Sequence, residues 1–211
     1  IEIKGEKLKY VSRGGLKLEK AIKEFHINLK DKTLIDIGSS TGGFSDCAIQ
    51  NGIKKVYAID VGTNQFDKNL KLNSKINLYE NTDFRNIDNS IINDANIASI
   101  DVSFISVTKL TSKLETLTNL REIICLIKPQ FECGKEVSDK YKGIPLNKEV
   151  HKSVINNVIS SFKSHKFLIN GLTVSPIKGG NGNIEYLAYF RKDNEKTIDI
   201  NTVVEKAFKE K

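Results

Sequence analysis

The sequence predicts an α/β protein: one domain built on a mostly parallel seven-stranded sheet, with helices on both faces and an antiparallel C-terminal hairpin. Three observations lead there. Short β-branched runs alternate with helical patterns through most of the chain, which implies βαβ units whose crossovers cover both faces of a parallel sheet. The stretch after the first run, DIGSSTGGF (Asp36 to Phe44), holds three glycines in six positions, so the backbone there is open to close approach by a ligand. The last two apolar runs are separated only by KGGNG, as the strands of a hairpin are.

The elements follow in order. The opening IEIKGEKLKYVSRGG is polar and basic. LKLEKAIKEFHI then sets Leu16, Leu18, Ala21, Ile22 and Phe25 on one stripe, giving a helix from Gly14 to His26. TLIDIG (Thr33 to Gly38) is a strand, and GFSDCAIQNG is a helix closed by Gly52. KVYAID (Lys55 to Asp60) is the second strand, QFDKNLKL a short helix, and KINLYEN (Lys75 to Asn81) and NIASIDVS (Asn96 to Ser103) are two more strands. VTKLTSKLETL is helical, EIICLIKP (Glu122 to Pro129) is a buried strand, and NKEVHKSVINNVISSFKSH is an amphipathic helix. FLINGLTVSPI and NIEYLAYFRK form the hairpin, with KGGNG as a flexible loop, and NTVVEKAFKEK is a closing helix. The polar segment from Cys133 to Leu146 is expected to be a mobile loop over the active site.

With 211 residues, 39% of them hydrophobic, the chain supports one sizeable core. It has no apolar stretch near the roughly 20 residues that span a bilayer and no signal-peptide h-region, so a cytoplasmic protein is expected. Three cysteines without a CxxC pair suggest neither disulfides nor zinc. His26, His151 and His165 lack ligand spacing, so no metal is expected. The net charge of +7 favours a polyanionic partner, nucleic acid first, although a lysine-rich solvated surface explains the charge equally well. The chain starts at Ile1 and contains no methionine, from which a missing N-terminal portion is expected.

The order of the glycines selects the cofactor. A P-loop requires GxxxxGK[ST]; Gly38 and Gly43 have the spacing, but Phe44 stands where lysine must be. A dinucleotide fingerprint requires GxGxxG, and here Ser40 would crowd the pyrophosphate at the second glycine. S-adenosylmethionine carries no phosphate and needs a bare backbone, followed by an acid for its ribose at the end of the second strand. Asp60 follows the loop near the spacing of about 20 residues typical of ribose-binding acids. Asp83, after the third strand, is placed to meet the adenine amino group. The expected cofactor set is Asp36, Gly38, Ser39, Ser40, Thr41, Gly42, Gly43, Phe44, Asp60, Val61, Asp83 and Asp101. The fold class is then a Rossmann-like S-adenosylmethionine-dependent methyltransferase. Each residue alone is equally a turn glycine or a capping acid; the four matched strand ends carry the weight.

The methyl acceptor is narrowed by what is absent. Amine methyltransferases usually place [DN]PP[YF] after the fourth strand, whereas this chain has DVSF at Asp101. Carbon-5 methylation needs a cysteine nucleophile; Cys125 lies inside a buried strand and Cys133 in a loop. A ribose 2′-hydroxyl needs alignment and a group to steer or accept its proton, which a lysine in a cleft supplies. Lys128 ends an apolar strand with Pro129 fixing the turn behind it; the plain alternative is a strand-end lysine reaching into water. Methylation of a small molecule is a further alternative, weakened by the basic balance.

The blocks YVSRGGLKL, DIGSSTGGF, AIDVG, DVSFIS, KPQFE and GNIEY resemble the hemolysin A (TlyA) family of ribosomal RNA 2′-O-methyltransferases, whose catalytic domain is similar to the RrmJ/FtsJ enzymes. The resemblance implies a Lys-Asp-Lys-Glu tetrad at Lys17, Asp101, Lys128 and Glu185. In it Lys128 steers or deprotonates the hydroxyl, Asp101 and Glu185 orient it, and Lys17 completes the site. It implies ribosomal RNA as partner, with cytidine ribose as target. It also implies an N-terminal S4 RNA-binding domain that nothing here matches, so residues 1–12 are expected to be a linker remnant and 13–211 the methyltransferase domain. Arg13 and Lys17 are expected to track RNA phosphates, while Lys20 and Lys23 read as a solvated helix face. Two other classes stay open. A membrane-active hemolysin would need a spanning or strongly amphipathic helix, and HKSVINNVISSFKSH is one-faced. A non-catalytic RNA-binding assembly factor would have no need of Lys128 at a strand end.

Overall fold

Five apolar runs lie side by side in the computed structural model, which describes residues 9–140, 142–144 and 147–209. They are β1 (Thr33–Ile37), β2 (Lys55–Ile59), β3 (Ile76–Tyr79), β4 (Ile97–Ile100) and β5 (Glu122–Ile127), all parallel. β6 (Leu168–Val174) and β7 (Tyr186–Arg191) complete a seven-stranded sheet in the order β3-β2-β1-β4-β5-β7-β6. β1 is buried along its whole length because helices cover both faces, which is why these strands read as continuous apolar runs instead of alternating ones.

Successive residues of β1 serve opposite cores. Leu34 joins a cluster with Leu18, Ala21, Cys47, Ala48 and Leu70, from α1 (Gly14–Phe25), α2 (Gly43–Gln50) and α3 (Lys68–Lys71). Ile35 and Ile37 join the other, with side chains of α4 (Asn89–Ile92), α5 (Thr111–Glu115), the long α8 (Lys148–Ser164) and α9 (Ile200–Lys209). α1 stops one residue short of the expected His26, which takes a left-handed φ of 54° as its C-cap.

The C-terminal hairpin joins the sheet at its edge as expected: β7 pairs antiparallel with β5, with Ile127 opposite Tyr186, and β6 lies outermost. That register brings the residue before β7, Glu185, beside the end of β5. The loop expected to be flexible forms a 3-10 turn at Gly180–Gly182 with Asn181 left-handed. The segment expected to be a mobile loop holds helix. α7 (Lys135–Lys140) lies in it and starts after Gly134, whose φ of +80° breaks the chain direction; α6 (Pro129–Glu132), which starts on proline, precedes it. Residues 141, 145 and 146 of that segment, and 210–211 of the closing helix, lie outside the described residues.

The start of the chain packs onto the domain from residue 9 onward. Tyr10 is buried against Gly15, the Val11 N–H donates to Asp46 Oδ2 at 2.8 Å, and Lys9 pairs with Glu19. Residues 1–8 of the expected linker lie outside the described residues. Among the described residues, no helix is long and apolar enough to cross a membrane.

Candidate active site

Parallel strands end together, so the loops after β1, β2, β4 and β5 meet at one edge of the sheet, where ligands of open α/β proteins bind. Gly38 follows β1 with φ +82°, and a Cβ there would stand 2.5 Å from the Asp101 carbonyl oxygen after β4. The two loops touch through bare backbone. Gly43 instead permits close packing within the protein. A Cβ there would stand 2.3 Å from Ser12 Oγ and 2.9 Å from the Gly15 nitrogen, so the loop is seated directly on the start of α1. Gly42 faces Leu70 and Phe66 in place of a cavity, and its φ of +93° explains the glycine.

Asp60 holds the loop from the β2 side. Its Oδ2 accepts from the Ser40 N–H at 2.7 Å and its Oδ1 from the Gly62 N–H at 2.7 Å. Asp36, expected to touch the cofactor, lies beneath the loop. Its carboxylate is fully buried, accepting from Ser45 Oγ at 2.7 Å and Ser99 Oγ at 2.9 Å. It braces the glycine loop on α2 and β4 from below.

Burial raises the Asp36 carboxyl to about 6, against the two serine hydrogen bonds that favour its charged form. The folded chain therefore binds a proton between the ordinary carboxylate range and about pH 6 that the unfolded chain does not. This contribution to stability is fully present at the low end of that window, is lost as pH rises through 6, and is absent above it. Asp36→Asn removes it, so the variant gains stability over wild type, by several degrees of melting temperature, on going from about pH 4.5 to about pH 7.5. A difference that stays constant across those melts would contradict the raised carboxyl.

Two clefts open at this edge, of about 1000 Å³ and about 470 Å³, and they share Gly38, Ser40, Asp101, Ser103 and Phe104. Asp60, Val61 and Asp83 line the smaller; Ser39, Thr41, Gly43, Phe44 and Arg13 line the larger. Ser39 Oγ is buried behind the cleft wall with no hydrogen-bond partner among the described residues. Asp83 is held by Arg85 through its N–H, Nε and Nη2, and this guanidinium keeps the carboxyl below its usual range.

At the junction of the clefts stand four charges from four parts of the chain. Lys128 Nζ is 2.6 Å from Asp101 Oδ1 and 3.0 Å from Ser103 Oγ. Lys17 Nζ is 2.7 Å from Glu185 Oε2 and 3.9 Å from Asp101 Oδ2. The lysine side chains are 9% and 12% exposed, and Glu185 only 3%. Two ammonium groups and two carboxylates in alternation balance, as burial of charge requires. The structure thus brings together all four residues expected of the tetrad. Lys17 is turned inward onto Glu185, and Arg13, exposed, stands on the wall of the same larger cleft.

Sequence reasoning missed Ser103 and a pair of rings at the mouth. Phe104 is 92% exposed at a left-handed φ of 65°, and its ring centroid lies 5.1 Å from that of Phe131. Glu132 secures both loops, accepting from Ser106 Oγ at 2.5 Å and from the Val107 N–H at 2.8 Å; its burial raises its carboxyl. The signal was present in the sequence: DVSF and KPQF each place a phenylalanine three residues after a tetrad member. Among the described residues, no group of three His, Cys, Asp or Glu side chains could hold a metal ion.

A sheet in this order, with a glycine loop after its first strand and an acid after its second, defines the class of S-adenosylmethionine-dependent methyltransferases. A solved enzyme of that class from Mesorhizobium loti shares the fold at TM-score 0.57 and 10% identity, over 81% of this chain and 95% of that one. Within the class, the chain belongs to the FtsJ-like methyltransferase family, whose profile matches residues 10–192. It is 39% identical over 184 residues to the 23S rRNA (cytidine-2′-O)-methyltransferase TlyA of Campylobacter jejuni, covering 87% of this chain and 72% of that protein. A crystal structure of a candidate hemolysin from Lactococcus lactis is 44% identical with TM-score 0.89, over 95% of this chain and 99% of that one.

Proposed function

We propose that this chain transfers a methyl group from S-adenosylmethionine to the ribose 2′-hydroxyl of a cytidine in ribosomal RNA, within the cytoplasm. The observation that carries it is the alternating ion-pair chain Glu185–Lys17–Asp101–Lys128 at the junction of the two clefts. The cofactor supplies an electrophilic methyl group on a sulfonium. Its methionine end would lie along the backbone at Gly38, and its ribose and adenine would be held in the smaller cleft by Asp60 and Asp83.

The chain's own residues then act on the hydroxyl. An amine nitrogen has four positions, one taken by its own carbon. On Lys128, Asp101 and Ser103 occupy two, and the remaining one is left for the 2′-oxygen or its proton. Lys17 and Glu185 stand behind Asp101 and hold it, so Lys128 cannot swing to a second carboxylate. Phe104 and Phe131 form a shelf on which an unstacked base can lie, as RNA-modifying sites require.

Ser103 is therefore a positioning residue. Ser103→Ala is expected to lower kcat by about tenfold, the worth of one hydrogen bond to a charged group, with KM and cofactor affinity unchanged. Ser103→Thr, which keeps the hydroxyl, restores kcat; equal losses in both variants would mean the hydroxyl has no part in it. The function itself is tested by transfer from labelled S-adenosylmethionine to unmodified bacterial ribosomal subunits. Label on a ribose 2′-oxygen supports it; a protein that binds the cofactor and labels neither subunit refutes it and favours the assembly-factor reading.

A further inference from the structure

Two ammonium groups and two carboxylates cancel within the tetrad, so Lys17 and Lys128 exert little net pull on a polyanion. The rest of the larger cleft is not balanced in this way. Outside the tetrad its described lining carries three cations, Arg13, Lys135 and Lys178, against one carboxylate, Asp139. All three cations are exposed, and none forms an ion pair among the described residues. Elsewhere on the surface, Lys9, Lys71 and Lys163 each meet a carboxylate. Cations left unpaired around one cleft keep their field for a ligand.

Each of the three is tied to a different tetrad member by a short piece of fixed backbone. Arg13 caps α1 one turn before Lys17. α6 leads from Lys128, its N-cap, through Gly134 to Lys135 at the start of α7. Lys178 precedes Gly179, where a Cβ would stand 2.2 Å from Glu185 Oε1, so this turn rests directly on the buried carboxylate. Asn183 Nδ2 donates to the Gly143 carbonyl at 3.2 Å and joins the Lys178 turn to the segment after α7. We propose that Arg13, Lys135 and Lys178 clamp the phosphodiester groups on either side of the methylated nucleotide, an inference that rests on the RNA reading of this cleft. A ribose carries one phosphate on the 3′-oxygen, next to its 2′-hydroxyl, and another on the 5′-oxygen. Holding both phosphates therefore fixes the sugar between them. Phosphate contacts carry no base information; they set register and orientation, here of the sugar toward Lys128.

The test compares two triple variants that remove the same charge. One is Arg13→Gln with Lys135→Gln and Lys178→Gln at the cleft; the other is Lys30→Gln with Lys54→Gln and Lys196→Gln. Lys30 and Lys54 precede β1 and β2, and the Lys196 N–H donates to the Ile169 carbonyl near the start of β6 at 2.9 Å, so this set lies at the sheet edge opposite the clefts. Affinity for a single-stranded RNA oligonucleotide is measured by fluorescence anisotropy over a range of salt, with melting temperature and cofactor affinity as checks on the fold. The cleft triple is expected to bind on the order of tenfold more weakly at about 0.1 M salt. It is also expected to lose about 2 from the slope of log K against log salt, since each single-strand phosphate contact contributes about 0.7. The opposite-edge triple is expected to stay within about twofold of wild type, because exposed charges more than about 10 Å from the RNA are screened. KM for ribosomal subunits rises with Kd in the cleft triple. Equal effects of the two triples, or no effect of the cleft triple, would overturn the proposal, because RNA would then feel only the overall charge or bind elsewhere. Methyl transfer by wild type to ribosomal subunits is followed alongside. A wild type that transfers label while the triples behave alike removes the clamp alone; a wild type that transfers none removes the functional reading, and this proposal with it.

Discussion

Lys128→Ala is expected to reduce methyl transfer by about a thousandfold, within the range by which positioned proton-transfer groups accelerate reactions, and to leave S-adenosylmethionine affinity within a few-fold of wild type. The split follows from geometry. Lys128 lines the larger cleft only, whereas the adenosine end of the cofactor is proposed to lie in the smaller one. Truncation removes the group facing the 2′-oxygen and leaves Asp101 paired with Lys17 at 3.9 Å, so the carboxylate keeps a counter-charge. Lys128→Arg distinguishes the two roles of the amine. A guanidinium keeps the charge and donors but cannot accept a proton at working pH. If Lys128 takes the proton, the arginine variant is as inactive as the alanine one; if it only steers the oxygen, part of the rate returns. Cofactor affinity by calorimetry and single-turnover transfer separate binding from chemistry. An alanine variant within tenfold of wild type in the single-turnover step would remove Lys128 from the centre of the mechanism.

How far this was legible in the sequence depends on the kind of information each residue needs. Strands buried on both faces must be continuously apolar, so Thr33–Ile37 and Glu122–Ile127 stand out along the chain, and polar residues just beyond such runs, Asp101 and Lys128, mark the ligand edge. Asp36 and Asp60 look alike in sequence, an acid at the end of an apolar run. They differ by two positions: Asp36 pairs with Ala58 inside the sheet, while Asp60 lies beyond Ile59, the last residue of β2. Asp36 is therefore enclosed between Ser45 and Ser99, and Asp60 stands past the strand end, at the loop. Pairing across distance is less legible still. Lys17 and Glu185 are 168 residues apart, and only the insertion of β7 beside β5, with Ile127 opposite Tyr186, brings them together. Periodicity along a chain says where a strand lies, not which neighbour it takes; the resemblance to a family supplied that pairing where periodicity did not.

The same buried pair sets the second large effect. Glu185→Ala leaves the Lys17 ammonium with only the Asp101 contact at 3.9 Å, in a setting where Lys17 is 12% exposed. Removing one partner of a buried pair costs about 3–5 kcal/mol, a third or more of a typical domain's stability, so the variant is expected to melt well below wild type and to lose transfer by two orders of magnitude or more. Loss of activity there could be loss of fold, and a second substitution separates the two. In Lys17→Met with Glu185→Leu, no charge is stranded and the apolar volumes approximate those removed, so stability returns to near or above that of wild type. Transfer does not return, because Asp101 has lost the lysine behind it and Lys128 its fixed counter-charge. Melting temperature and single-turnover rate, measured on Glu185→Ala and on the double variant, give the answer. A double variant that recovers both would make the Lys17–Glu185 pair structural and leave Asp101 and Lys128 as the whole of the chemistry. One that recovers stability alone makes the pair part of the device that aims the amine.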